Sequence, residues 1–189
     1  MARALVFLAP GFEEIEALTI VDLLRRGGVE VITAGLEPEA VEGAHGVKVI
    51  PDRKLEEVRV EDFDAVICPG GYPGYENLRK NRRVLELVRK AEEGGKLVAA
   101  ICGAPSVLAE AGVLKGRRAT IYPGMEGELR KGGGRPSKGL VVVDGKMVTS
   151  RGPATAFAFA LELLKLLAGK KKAEEVRKAT LAHLGAKLR

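Results

Sequence analysis

The stretch Leu97-Val98-Ala99-Ala100-Ile101-Cys102-Gly103-Ala104-Pro105 decides the fold. Its first five residues are wholly apolar and of strand length, so the strand they predict has protein on both faces. Pro105 suits the first turn of a helix, where its missing N–H would have gone unpaired anyway. A buried strand that becomes a helix within three residues is the building unit of an α/β sheet covered on both sides.

The same alternation runs outward in both directions. Strands are predicted at Ala4–Leu8, Val29–Thr33, Ala65–Cys68 and Ala119–Ile121. Helical spacing in Ile15, Leu18, Val21, Asp22 and Leu24–Arg26 closes at Gly27-Gly28, and Val84–Glu93 closes at Gly94-Gly95. A further helix spans Pro105–Ala111, ended by Gly112. Val41–Ile50 alternates around Gly43 and Gly46 as a hairpin. Leu140–Val143 and Met147–Ser150 flank Asp144-Gly145, a strong hairpin signal. Two last helices are predicted at Ala154–Leu167 and Ala173–Leu184. With no internal repeat, long linker or composition break, residues 1–189 read as one flavodoxin-like α/β sandwich of three layers around a mostly parallel sheet.

Composition narrows the function classes. The 189 residues carry a formal charge of +6, and net +5 of it sits in the basic C-terminal helix predicted over about 170–189. That run reads as a solvated face. Without Trp, aromatic interleaving or a recognition signature, it argues against a nucleic-acid partner. Two cysteines in a chain of this length make no disulfide framework. The short apolar start at Ala4 runs straight into Gly11-Phe12-Glu13 and reads as a strand, not a signal peptide. Glu162 and Lys165 interrupt the most apolar helix, which cannot then span a membrane. The expectation is a cytoplasmic protein with reduced thiols. Asn77 and Asn81 are its only side-chain amides, against abundant Glu, Lys and Arg, a bias that suits heat adaptation.

Cys102 is the candidate nucleophile. Small residues stand two before it (Ala100) and two after it (Ala104), the pattern of a strained nucleophile elbow. At a strand-to-helix turn the thiol faces the positive end of a helix, which predicts a lowered pKa. Pro69-Gly70-Gly71 ends another strand and lets bare backbone N–H groups approach a ligand, as an oxyanion hole requires. Gly103 offers a second such N–H. Cys68 reads as a core residue. Glu13, Glu14 and Glu16 open the first helix at the same edge of the sheet. Spacing alone leaves open which of them turns inward to exchange a proton with sulfur.

Together these stretches resemble the DJ-1/ThiJ/PfpI superfamily, and its DJ-1 branch in particular. The matching segments are Arg3-Ala4-Leu5-Val6 through Gly11-x-Glu13-Glu14-x-Glu16, Val21-Asp22-Leu23-Leu24-Arg25-Arg26, Pro69-Gly70-Gly71, Ala99-Ala100-Ile101-Cys102 and Thr149-Ser150-Arg151-Gly152-Pro153. The resemblance implies a flavodoxin-like fold, a homodimer and no added cofactor, and the absence of metal-ligand spacing argues against a metal. It implies Cys102 as the reactive cysteine, Glu16 as its carboxylic acid, and Gly71 and Gly103 as N–H donors. His45, Glu13 and Arg26 are carried as further contributors to the pocket of this or a partner subunit.

The implied chemistry is a glyoxalase or deglycase that acts on methylglyoxal, glyoxal or their adducts. The Cys102 thiolate adds to the aldehyde, Glu16 moves protons between carbon and oxygen, and hydrolysis releases lactate or glycolate. An oxidative-stress sensor or chaperone with a sulfinate-forming Cys102 is the alternative. A PfpI-type cysteine peptidase is disfavoured, because Gly103 and Tyr122 stand where many relatives carry a His. The two histidines, His45 and His183, read as a hairpin residue and a surface residue.

Overall fold

The computed structural model describes residues 1–37 and 39–184. In chain order, β1 (Arg3–Leu8) leads to α1 (Glu14–Arg26) and β2 (Glu30–Gly35). A small hairpin, β3 (Val41–Glu42) and β4 (Lys48–Val49), and a short edge strand, β5 (Arg53–Lys54), follow. β6 (Ala65–Cys68) precedes α2 (Gly74–Lys80) and α3 (Arg82–Glu93), and β7 (Leu97–Ile101) precedes α4 (Pro105–Glu110). An excursion of β8 (Arg118–Ala119), α5 (Glu126–Lys131) and β9 (Arg135–Pro136) comes before the hairpin of β10 (Val141–Asp144) and β11 (Met147–Ser150). α6 (Ala156–Ala168) and α7 (Lys170–Ala179) follow.

Seven strands form the central sheet in the order β10-β11-β7-β6-β1-β2-β5, parallel except for the β10–β11 pair. Its inner strands read as unbroken apolar runs because both faces are buried. Leu5, Phe7, Val66, Val98 and Ala100 pack on one side with Leu87, Val107 and Leu108 from α3 and α4. Ala4, Val6, Ile67, Ala99 and Ile101 pack on the other with Ile20 and Leu24 of α1 and Phe159 and Leu163 of α6. From β1 the chain moves one way along the sheet to β2, and from β6 the other way to β7. The crevice between the carboxyl ends of β1 and β6 is where such sheets bind ligands.

Two expectations are corrected. Ala119–Ile121 does not join the central sheet: only Arg118–Ala119 pairs, with Arg135–Pro136. Thr120 N–H instead donates to Thr149 Oγ1 at 2.9 Å, and Tyr122 N–H donates to the Cys102 carbonyl at 2.8 Å. The stretch therefore crosses the end of the sheet and closes over the cysteine. The final helix runs over Lys170–Ala179, earlier than the predicted Ala173–Leu184. Lys187 and Arg189 of the basic tail lie outside the described residues. α2 escaped the sequence reading because it has only seven residues and opens on Pro73-Gly74, which reads as a turn. No helix among the described residues is long and apolar enough to cross a membrane.

Candidate active site

Cys102 sits at φ +62°, a left-handed conformation that costs a non-glycine residue roughly 1–2 kcal/mol. The turn is held by its own backbone: Cys102 N–H donates to the Ser150 carbonyl at 3.0 Å, and its carbonyl accepts from Tyr122. Strain of this kind persists only where the surroundings over-determine it, as at a nucleophile elbow. Ala100 and Ala104 are fully buried, which accounts for the small residues on either side. Gly103 is bare for a specific reason: a Cβ there would lie 2.5 Å from the Tyr75 ring. The aromatic ring fills the space in which a side chain following the cysteine would stand.

Glu16 is the inward-facing acid. It is 0% exposed, and its Oε2 accepts from Gly70 N–H at 2.8 Å. Gly70 is wedged between acid and thiol: a Cβ on it would lie 2.5 Å from Cys102 Cβ and 2.7 Å from Glu16 Oε2. Those two atoms are thus no further apart than the two distances together. Oε1 of Glu16 is buried without a hydrogen-bond partner, and the Cys102 side chain acts on the charge of the acid. The sequence offered both glycines of Pro69-Gly70-Gly71 as N–H donors to a ligand; Gly70 gives its N–H to Glu16 instead.

The other two acids have different tasks. Glu13 caps α1, its Oε2 accepting from Glu16 N–H at 2.7 Å, and its own N–H donates to the Gly70 carbonyl at 3.0 Å. It therefore positions Glu16. Glu14 turns to the β3–β4 hairpin, where it accepts from the His45 N–H at 2.7 Å and pairs with His45 Nδ1 at 2.8 Å. Glu13, Glu14 and His45 form the one convergent set of metal-ligand types among the described residues, within 4.8 Å. Both carboxylates already accept backbone N–H groups, so the set is a hydrogen-bonded cap joining helix to hairpin. Within this chain His45 is taken up by that cap. Arg26 lies at the far end of α1, about 15 Å along the axis from Glu16, paired with Asp22 at 2.7 Å. The chain thus brings together Cys102, Glu16, Gly71 and Gly103, with Glu13 one contact behind, and leaves His45 and Arg26 outside.

The electrostatics differ from the dipole argument. Burial pushes Glu16 up to about 7, helped by the charge of Glu13 and opposed by Gly70 N–H and by Cys102. Burial also pushes the Cys102 thiol up, to about 12, together with the negative charge of Glu16. The N–H groups of Gly71 and Gly103 pull the other way and favour the charged sulfur. The predicted drop in thiol pKa is overturned for a physical reason. α4 has only six residues and starts three positions on, whereas burial disfavours the charged sulfur and Glu16, when ionised, repels it. That repulsion acts only while Glu16 is charged. When Glu16 holds the proton, the repulsion is gone, and burial is opposed by the two N–H groups. Thiol and acid form a coupled pair sharing a proton. Cys68, fully buried under the sheet, is pushed up to about 12 by burial alone and is chemically silent.

Cys102 opens on a cavity of about 490 Å³ walled by Tyr72, Tyr75, Tyr122, Pro123 and Met125. Tyr72 and Tyr75 form a tilted pair with ring centroids 6.2 Å apart. The DJ-1/PfpI family model matches residues 2–166. The chain belongs to the DJ-1/PfpI family. Among relatives in this family, Drosophila melanogaster dj-1beta is 45% identical over 179 residues, 94% of this chain and 96% of that protein. Its crystal structure superposes with a TM-score of 0.90 over 95% of this chain and 97% of that one. An oxidized Toxoplasma gondii DJ-1 structure is 36% identical with a TM-score of 0.90, covering 96% and 98% of the two chains. A protein of Pyrococcus abyssi named a deglycase is 39% identical over 165 residues, 87% of this chain and 99% of its own.

Proposed function

We propose that this DJ-1/PfpI protein is a cofactor-free glyoxalase or deglycase that acts on methylglyoxal, glyoxal or their adducts through Cys102. One observation carries the reading: a strained cysteine opens on a cavity with a fully buried carboxyl group at its side and bare glycine N–H groups around it. The relative named a deglycase supports the same class of chemistry.

In the forward reaction the Cys102 thiol proton moves to Glu16, the sulfur adds to the aldehyde carbon, and Glu16 hands that proton on to the aldehyde oxygen, giving a hemithioacetal and leaving Glu16 as a carboxylate. Glu16 then removes the hydrogen of that carbon as a proton and returns it to the neighbouring ketone carbon, while the hydroxyl proton passes to the ketone oxygen. The first carbon is oxidised to a thioester and the second reduced to an alcohol, so no outside oxidant is needed. Water cleaves the thioester, releasing lactate and the thiol. Gly71 and Gly103 N–H stabilise the negative oxygen at each addition, the largest single contribution in many such sites. A carboxyl group that titrates near 7 is suited to both halves of the proton transfer.

The same donors favour a second reading as a redox sensor. Two molecules of hydrogen peroxide would each pass one oxygen to sulfur and leave as water, and the sulfinate would accept the Glu16 proton and the glycine N–H groups. That a relative has been crystallised oxidized keeps this reading in view. A homodimer belongs to the proposal as well: Ile15 (58% exposed) and Leu18 of α1, with Val47 and Ile50 in and beside the hairpin, are exposed apolar side chains.

Purified protein is incubated with methylglyoxal while lactate is measured, alongside Cys102→Ser and Glu16→Gln. Turnover abolished by both changes is the expected result. Absence of turnover, with a gain of two oxygens at Cys102 under mild peroxide, overturns it in favour of the sensor.

A further inference from the structure

The cavity is larger and more aromatic than a three-carbon aldehyde requires. Methylglyoxal has five heavy atoms and fills on the order of 100 Å³, judged from the roughly 30 Å³ share of one water. The cavity holds about 490 Å³, in the range of sites that enclose drug-sized ligands. The chain has only three tyrosines and no tryptophan, and all three tyrosines line this cavity. Tyr72 and Tyr122 are the exposed aromatic rings among the described residues, 72% and 48% accessible. The phenylalanines, by contrast, are buried or partly buried in the cores. Nothing in the packing asks for solvent-reaching rings here, and Tyr122 is carried over the cysteine by a loop whose N–H is tied to it.

Charge selects among ligands that stack on tyrosine. A cation would seek free carboxylates: Glu16 is fully buried beside the sulfur, behind Gly70, and the adjoining hollow beside Tyr75 and Met125 offers Glu76 and Glu128. Both are already neutralised: Glu76 and Glu128 flank Arg79 at 3.2 and 3.3 Å, and Lys131 reaches Glu128 at 2.6 Å. The wall is left to an uncharged, flat or bulky apolar group, which also meets the Met125 side chain.

Resting on the glyoxalase reading, we infer that the site prefers 2-oxoaldehydes with an aromatic or bulky apolar substituent to methylglyoxal. The aldehyde lies at Cys102 and the substituent against Tyr72, Tyr75, Tyr122 and Met125. The product is the matching 2-hydroxy acid. Hydrogen again passes from the aldehyde carbon to the ketone carbon, and water supplies the carboxyl oxygen.

Two measurements test this. The first is kcat/KM for phenylglyoxal against methylglyoxal. The second is binding of mandelate against lactate to Cys102→Ser by calorimetry, which needs no turnover. Each is made in the parent protein and in Tyr122→Ala, Tyr72→Ala and Tyr122→Phe backgrounds. Mandelate is expected to bind about tenfold or more tightly than lactate. Each alanine change should cut the aromatic preference about three- to tenfold, with Tyr122→Phe retaining it. Equal binding of the two acids, or a preference unmoved by both alanine changes, overturns the inference. Preferential mandelate binding without turnover of either aldehyde upholds the aromatic subsite and removes the glyoxalase reading. Turnover of both aldehydes without preference does the reverse.

Discussion

Glu16→Gln tests the buried acid through stability as well as through activity. The carboxyl of Glu16 is raised from the usual 4.5 to about 7 in the folded protein, first of all by burial. A carboxyl raised on folding binds its proton more tightly in the folded than in the unfolded chain. Its contribution is therefore complete below pH 4.5 and is lost as pH rises through about 7. The span of about 2.5 units at 1.36 kcal/mol each corresponds to a loss of about 3 kcal/mol between pH 4.5 and 8. Glutamine keeps the shape and an acceptor for Gly70 N–H but carries no charge at any pH. Urea unfolding of both proteins at pH 5 and pH 8 gives the comparison. The stability of the glutamine protein relative to the parent should rise by about 2.5 kcal/mol from pH 5 to pH 8, while other titrating groups cancel. The raised Cys102 thiol contributes only above pH 9, outside this window. Dicarbonyl turnover should fall about 10²- to 10⁴-fold in the same variant, the usual worth of a proton-transfer group. Parallel pH profiles for the two proteins would refute the claim that folding buries an ionisable Glu16 beside the thiol.

Gly70→Ala should destabilise the fold by about 1–3 kcal/mol and lower turnover, because its methyl group enters the space between Cys102 Cβ and Glu16 Oε2. Gly127→Ala, with open space around its Cβ, is the control in the same unfolding and activity assays. For the proposed homodimer, Ile15→Lys with Leu18→Lys should convert a dimer to a monomer in sedimentation equilibrium. A parent protein that is itself monomeric at micromolar concentration, or a double variant that remains dimeric, would remove that face as the interface.

Much of the architecture was legible because burial on both faces leaves a plain mark. β1, β6 and β7 are apolar at nearly every position, and the structure puts a helical layer on each side of them. The elbow was legible for a related reason: a cysteine forced to φ +62° tolerates only small neighbours, and Ala100, Gly103 and Ala104 stand around it. What the chain could not announce is what meets across it. Helical periodicity does not choose among Glu13, Glu14 and Glu16, and all three are buried. They are separated by their partners: the α1 backbone for Glu13, the hairpin for Glu14, and Gly70 for Glu16. The tyrosine wall was hidden similarly, since Tyr122 follows a stretch with strand-like composition whose N–H bonds go to Thr149 and Cys102.

The thiol shows where local reasoning fails most sharply. A helix start beside a cysteine argues for a lowered pKa, and the argument is sound for an isolated turn. Here a carboxyl group 86 positions away in sequence lies against the same sulfur, and in its charged form it outweighs a six-residue helix. The reactive state is consequently not a property of Cys102. It belongs to the coupled titration of sulfur and Glu16, and Gly70 stands between the two side chains with its N–H on the acid. A substitution that separates them should impair the chemistry even where thiol, acid and N–H donors are all still present.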